Sequence, residues 1–156
     1  MTQSLWLGCL LCGLWGLSGS PLADAREAPT EPLLRVEVGM HTSILRRLVV
    51  DAPRQRLFTV SDDKTVRVWR QSDLRLLQVL RVPIDRGFEG RLFALAPSPD
   101  GRTVAVGGWT GWDWDGEGCI YLLDLTSGEL LKRRCGLSST LSALIASSGK
   151  SVAIMV

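Results

Sequence analysis

One stretch of this chain recurs at a nearly fixed interval. "SPDGRTVAV" (98–106) lies over "SSGKSVAI" (147–154), with Gly101 on Gly149, an offset of 48. The same stretch lies over "APRQRLFTV" (52–60), with Arg54 on Gly101, an offset of 47. Between the recurrences run short apolar segments bounded by Asp, Gly, Pro and Ser. They are "LLRVEV" (33–38), "ILRRLVVD" (44–51), "RLFTVS" (56–61), "TVRVW" (65–69), "LRLLQVLRV" (74–82), "RLFALAPSPDGRTVAVGG" (91–108), "CIYLLDL" (119–125), "ELLKRRC" (129–135) and "LSALIASSGKSVAIMV" (141–156). Segments of this length and punctuation predict strands and hairpins rather than helices. Ser98-Pro99-Asp100-Gly101 reads as a tight turn, because Pro presets φ, Asp bonds its own backbone and Gly takes the left-handed position. About four short strands per unit at this period predict an all-β array of four-stranded antiparallel propeller blades, each burying its faces only against its neighbours.

"SDDKTVRVW" (61–69) puts a hydroxyl residue and two acids ahead of an alternating strand that ends on Trp69. A buried indole N–H needs an acceptor, and a hydroxyl supplies one. The hydroxyl proton can go to a neutral imidazole nitrogen, and the other ring nitrogen can donate to a carboxylate. The chain has one His, His41, upstream of this stretch. Here the sequence resembles the WD40-repeat family, in which a His, a Ser or Thr, a turn Asp and a Trp form a hydrogen-bonded set within a blade. The resemblance places that set on His41, Ser61, Asp63 and Trp69. The same three polar residues could be read as a hydrolase triad. Ser61, however, lies in a strand-to-turn pattern without a nucleophile elbow or a glycine-rich oxyanion loop, so the expected role is structural and no catalytic residue is assigned.

The resemblance covers roughly residues 33–156 and implies about two and a half blades of an incomplete ring. In this reading 33–38 is a ring-closing strand, 41–82 is blade 1, 91–135 is blade 2 and 141–156 opens a third. Met40 and Arg70 depart from the family pattern around blade 1. In blade 2 no His precedes the first strand and Leu123 occupies the Trp position, so apolar packing must replace the polar set. A closed propeller usually has four to eight blades, so the sequence is expected to be a fragment of a longer protein. The resemblance implies a non-catalytic scaffold that binds proteins or peptides. It also extends to the N-terminal blades of bacterial exported WD40 repeat proteins, some of which carry a caspase-like domain. The alternative it raises is therefore the sensing or targeting part of a larger peptidase protein.

The first 25 residues differ from the rest. An uncharged apolar run, Leu5 to Leu17, is followed by Ser18-Gly19-Ser20-Pro21 and then Ala23-Asp24-Ala25. That pattern predicts a secretory signal peptide (1–25) cleaved after Ala25, with 26–32 an exposed lead-in and export as the destination. The run is too short for a permanent span, and no transmembrane helix is expected in the mature chain. Cleavage would leave Cys119 and Cys135. Export would permit a disulfide between them, but two unpaired, half-buried thiols is the reading adopted from sequence. Formal net charge is +2, and the densest basic run is Lys132-Arg133-Arg134. This excludes nucleic acid as an expected partner.

One loop stands out. "GGWTGWDWDGEG" (107–118) is an insertion relative to blade 1 and carries Trp109, Trp112 and Trp114 together with Asp113, Asp115 and Glu117. The reading adopted is that the indoles fold back over the blade. Two functional alternatives are a stacking platform for a glycan or peptide, making the chain a carbohydrate-binding module, and a weak calcium loop on the three carboxylates. The acidic spacing is not that of an EF-hand, and no cofactor is expected.

Overall fold

The computed structural model describes residues 34 and 36–146, and the backbone of 152–155. The expected signal peptide and lead-in lie outside the described residues. Two four-stranded antiparallel sheets follow one another along the chain. The first is β1 (Leu45–Asp51), β2 (Arg56–Ser61), β3 (Thr65–Arg70) and β4 (Leu76–Arg81). The second is β5 (Arg91–Pro97), β6 (Thr103–Trp109), β7 (Gly118–Asp124) and β8 (Leu130–Leu137). β9 (Ala143–Ala146) and β10 (Val152–Met155) form a further antiparallel pair. In both four-stranded sheets the spatial order equals the chain order. Every connection within a sheet is therefore a short antiparallel link, which is the blade meander that the apolar segments predict.

Strand alternation decides which residues build the core. Phe58 faces Val68 across β2 and β3, Val60 faces Val66, and Val66 faces Leu80 on β4. All these residues point to one side of blade 1 and are buried. From blade 2, Val104, Val106, Cys119, Tyr121 and Leu123 meet them in a single apolar cluster. Burying each Val or Leu side chain of this kind contributes about 1.5–3 kcal/mol. The opposite side of blade 2 is lined by smaller residues, Ala94, Ala96 and Ala105, with Ile120. Leu141 and Leu144 of the next unit cover it. Two successive interfaces thus stack three units side by side, as a radial array requires.

The other side of blade 1 has no such cover among the described residues. Leu48 stands opposite Thr59 and Val50 opposite Leu57. Leu48 is 50% exposed, Val50 49% and Leu77 46%. The blades are also tied through their turns. Arg54 Nη2 donates to Pro99 O (2.9 Å), and Arg56 Nη2 donates to Gly101 O (3.0 Å). Gly101 has φ +68°, and a Cβ there would collide with the Arg54 side chain. The Ser-Pro-Asp-Gly turn therefore holds glycine for its backbone and for its neighbour.

Of the expected ring-closing strand (33–38), residues 34 and 36–38 are described. Residues 36–38 adopt no strand conformation and pair with no described strand. Their contact is made by a side chain instead. Glu37 reaches the buried Arg67 (Oε1 to Nη1, 2.7 Å) and Arg81 (Oε2 to Nη2, 3.3 Å).

Candidate functional site

Blade 1 carries the polar constellation, with one member changed. His41 Nδ1 lies 2.8 Å from Asp63 Oδ2, and His41 Nε2 lies 2.7 Å from Thr59 Oγ1. Trp69 Nε1 donates to that same Thr59 Oγ1 at 2.8 Å. The neutral tautomer that satisfies all of them has Nδ1–H donating to Asp63 and Nε2 accepting from the Thr59 hydroxyl. Asp63 also accepts from the Thr65 hydroxyl (2.7 Å), the Thr65 amide (3.0 Å) and the Thr42 amide (3.1 Å). Burial pushes the Asp63 carboxyl up, but the hydrogen bonds from His41, Thr65 and the Thr42 amide outweigh it and hold the group well below the usual carboxylate range.

Ser61, expected in this set, lies outside it. Its hydroxyl accepts from the Asp63 amide at 3.1 Å and so braces the turn. The register explains the substitution. Trp69 stands opposite Leu57, and Thr59 opposite Arg67. Residues 57, 59 and 61 share a face, so the indole reaches the diagonal neighbour, Thr59. Ser61 lies four residues from Leu57, about 13 Å along the strand at 3.3 Å per residue. Counting back from the turn, rather than taking the hydroxyl nearest the acids, identifies Thr59.

Blade 2 repeats the geometry with different chemistry. Leu123 stands opposite Val104, and Tyr121 opposite Val106, as Trp69 and Arg67 do opposite Leu57 and Thr59. The polar trio Thr59, Arg67 and Trp69 is thus replaced by Val106, Tyr121 and Leu123, all fully buried. Leu123 occupies the Trp position in the register itself.

The insertion after β6 forms a single helical turn, α1 (Trp112–Asp115), between Gly111 (φ +87°) and Gly116 (φ +68°). A buried residue absent from the sequence reading, Glu89, holds it. Glu89 accepts from the Gly111 amide (Oε1, 2.5 Å) and the Asp113 amide (Oε2, 3.1 Å). Burial raises the Glu89 pKa, partly offset by those amides. No linear signal marks Glu89, because its partners are backbone groups of a loop more than twenty residues away. Trp114 is buried, whereas Trp109 and Trp112 are half-buried and stack with ring centres 5.4 Å apart. Phe88 meets Trp109 edge-on at 6.2 Å, and the Arg91 guanidinium lies over Phe88 at 4.2 Å.

The three carboxylates of the loop do not gather. Asp113 engages Glu89 through its amide, and Glu117 lies beside Gly136. Asp115 Oδ2 pairs with Arg133 Nη1 at 3.2 Å. The calcium-loop alternative is corrected accordingly. The cysteine reading is corrected too, because Cys119 and Cys135 form a disulfide between β7 and β8. They face each other because β7 and β8 pair Ile120 with Arg134. Spacing along the chain does not reveal that register.

No protein-family model matches the sequence, and no curated protein matches it. Among solved structures, the crystal structure of RRP9 WD40 repeats is similar, with a TM-score of 0.56 and 22% identity. The match covers 70% of this chain and 31% of that one. At this identity the likeness concerns the fold: the two four-stranded sheets are WD40-type propeller blades. Among the described residues, no helix is long and apolar enough to cross a membrane.

Proposed function

We propose that this chain is a non-catalytic propeller scaffold that binds a protein or peptide, and that it is exported and belongs to a longer propeller protein. One observation carries the reading: the two four-stranded sheets have the WD40-type propeller fold, and the blade 1 face that bears Leu48 and Val50, the counterpart of the blade 2 face that blade 1 covers, is left for a further blade. Half-exposed apolar side chains on that face are what a preceding blade of the ring would bury. Next to it, His41, Asp63, Thr59 and Trp69 are consumed by one another. An imidazole bonded at both nitrogens has no free position for proton transfer to a substrate. Export is supported by the Cys119–Cys135 disulfide, a bond that persists in oxidising compartments.

The test is site-specific photo-crosslinking in the native cell, with the probe at exposed Phe88, in the connection between the two blades, and, as control, at exposed Arg102. A discrete adduct with a second protein at residue 88 and none at 102 supports the scaffold reading. Equal labelling at both positions sinks it. A second reading, a glycan-binding module, is favoured by the stacked and half-buried Trp109 and Trp112. A glycan array with Trp112→Ala as control separates the two.

A further inference from the structure

We propose that Asp115, Cys119 and Cys135 form a zinc site in the reduced chain, the state it has before export brings it to an oxidising compartment, so that one strand pair is closed first by a metal and then by a covalent bond. The three residues come from elements already fixed in place. Asp115 ends α1, whose position is set by the Glu89 bonds to the Gly111 and Asp113 amides. Cys119 lies on β7 and Cys135 on β8. Gly111 keeps the approach open, since a Cβ there would fall 2.2 Å from Cys119 Sγ.

Asp115 Oδ2 lies 3.3 Å from each sulfur. Disulfide sulfurs carry no proton, so these contacts are not hydrogen bonds in the oxidised chain. A carboxylate set against both sulfurs gains nothing from them in that state. In the reduced chain the same position accepts from a thiol or shares a cation with two thiolates. All three ligand atoms lie within 4.8 Å of one another. Tetrahedral zinc, with Zn–S about 2.3 Å and Zn–O about 2.0 Å, spaces its ligand atoms by about 3.5–3.8 Å. The carboxylate is therefore already near its coordinating distance from each sulfur, and only the two sulfurs must separate.

The steps balance. A dithiol reductant delivers two electrons and two protons, cleaves the Sγ–Sγ bond and becomes a disulfide itself. Zinc then displaces both thiol protons to solvent, taking two thiolates, Asp115 Oδ2 and a water as ligands. Two thiolates and a carboxylate around a dication leave one negative charge. The Arg133 guanidinium, 3.2 Å from Asp115 Oδ2, offsets it and orients the carboxylate from the second layer. Cys135 is exposed and Cys119 is buried, so a reductant attacks from the Cys135 side. Two soft thiolates favour zinc over calcium or magnesium.

The test uses the full chain carrying Cys9→Ser and Cys12→Ser, with thiols counted before and after reduction. Zinc chloride is titrated against a chromophoric chelator, and Co²⁺ is added separately to read thiolate-to-metal absorption. The reduced chain is expected to bind one equivalent and to show that absorption, while the oxidised chain binds none. Asp115→Asn should weaken binding at least about tenfold and Cys135→Ser should abolish it. The proposal is overturned if the reduced chain takes no zinc, if the oxidised chain takes it equally, or if Asp115→Asn binds as tightly. Loss of the strand circular dichroism on reduction without recovery on adding zinc overturns it as well.

Discussion

The indole N–H of Trp69 ends on the hydroxyl of Thr59, 2.8 Å away, and the same oxygen lies 2.7 Å from the ring of His41. One small side chain on β2 therefore joins a strand-end aromatic to a loop imidazole. Thr59→Val keeps the shape and leaves Trp69 Nε1 and His41 Nε2 without a partner, while His41 Nδ1 keeps Asp63. It is expected to cost about 2–3 kcal/mol in urea unfolding, the scale of two partly buried polar groups left unsatisfied. Ser61→Ala loses only the bond from the Asp63 amide and should cost about 1 kcal/mol. Equal losses in the two variants would contradict the assignment of Thr59.

Asp63 contributes to the acid response of blade 1, beside Asp62, which its hydrogen-bonded pair with Arg46 also holds low. The folded pKa of Asp63 is depressed below the unfolded value. The stability it contributes is fully present above the unfolded value, about pH 4, and is lost as pH falls through the folded value. Wild type should therefore lose stability steadily below about pH 4. Asp63→Asn should be less stable at pH 7 and flatter over the acid range. Chemical denaturation at several pH values reads the difference in slope.

Glu89 acts with the opposite sign. Its carboxyl is raised by burial, so the folded state holds the proton more tightly than the unfolded chain. Its contribution is fully present below the unfolded pKa and is lost as pH rises through the folded value. Glu89→Gln should remove this loss, giving a flatter profile than wild type above about pH 4.5. Glu89→Ala, which strands the Gly111 and Asp113 amides, should release α1. The readout is a loss of near-ultraviolet dichroism from the stacked Trp109 and Trp112.

Two glycines should differ in their tolerance of Ala. At Gly101 the added Cβ meets the Arg54 side chain, which can swing aside and give up its bond to Pro99 O. The φ of +68° adds about 1 kcal/mol of backbone cost. At Gly108 the Cβ would lie 2.2 Å from the Arg91 carbonyl and 2.9 Å from the Phe93 amide. That is the facing strand itself, beside its bulge, and it cannot rotate away. Gly108→Ala should cost about 3 kcal/mol, at the upper end of overpacking, and Gly101→Ala about half that. Thermal melts of the two variants give the ranking.

These contrasts show where sequence reasoning reached. Strand positions and blade spacing were legible because alternation and turn residues are local properties of the chain. Leu123 at the Trp position was legible for the same reason. Thr59 was missed because the choice between hydroxyls two apart depends on cross-strand register, a relation between segments. Glu89 and the Cys119–Cys135 bond depend on how the insertion folds back on β7 and β8, and no periodicity encodes that.

The exchange of Thr59, Arg67 and Trp69 in one blade for Val106, Tyr121 and Leu123 in the next makes neighbouring units answer to different stresses. Directional bonds fail when a proton arrives, whereas oily contact is indifferent to acidity and weakens in the cold. Acid should loosen this protein at its His41 end, and chilling at the seam where the two blades share one oily cluster. One repeated backbone thus carries two points of failure, each reached by a different stress.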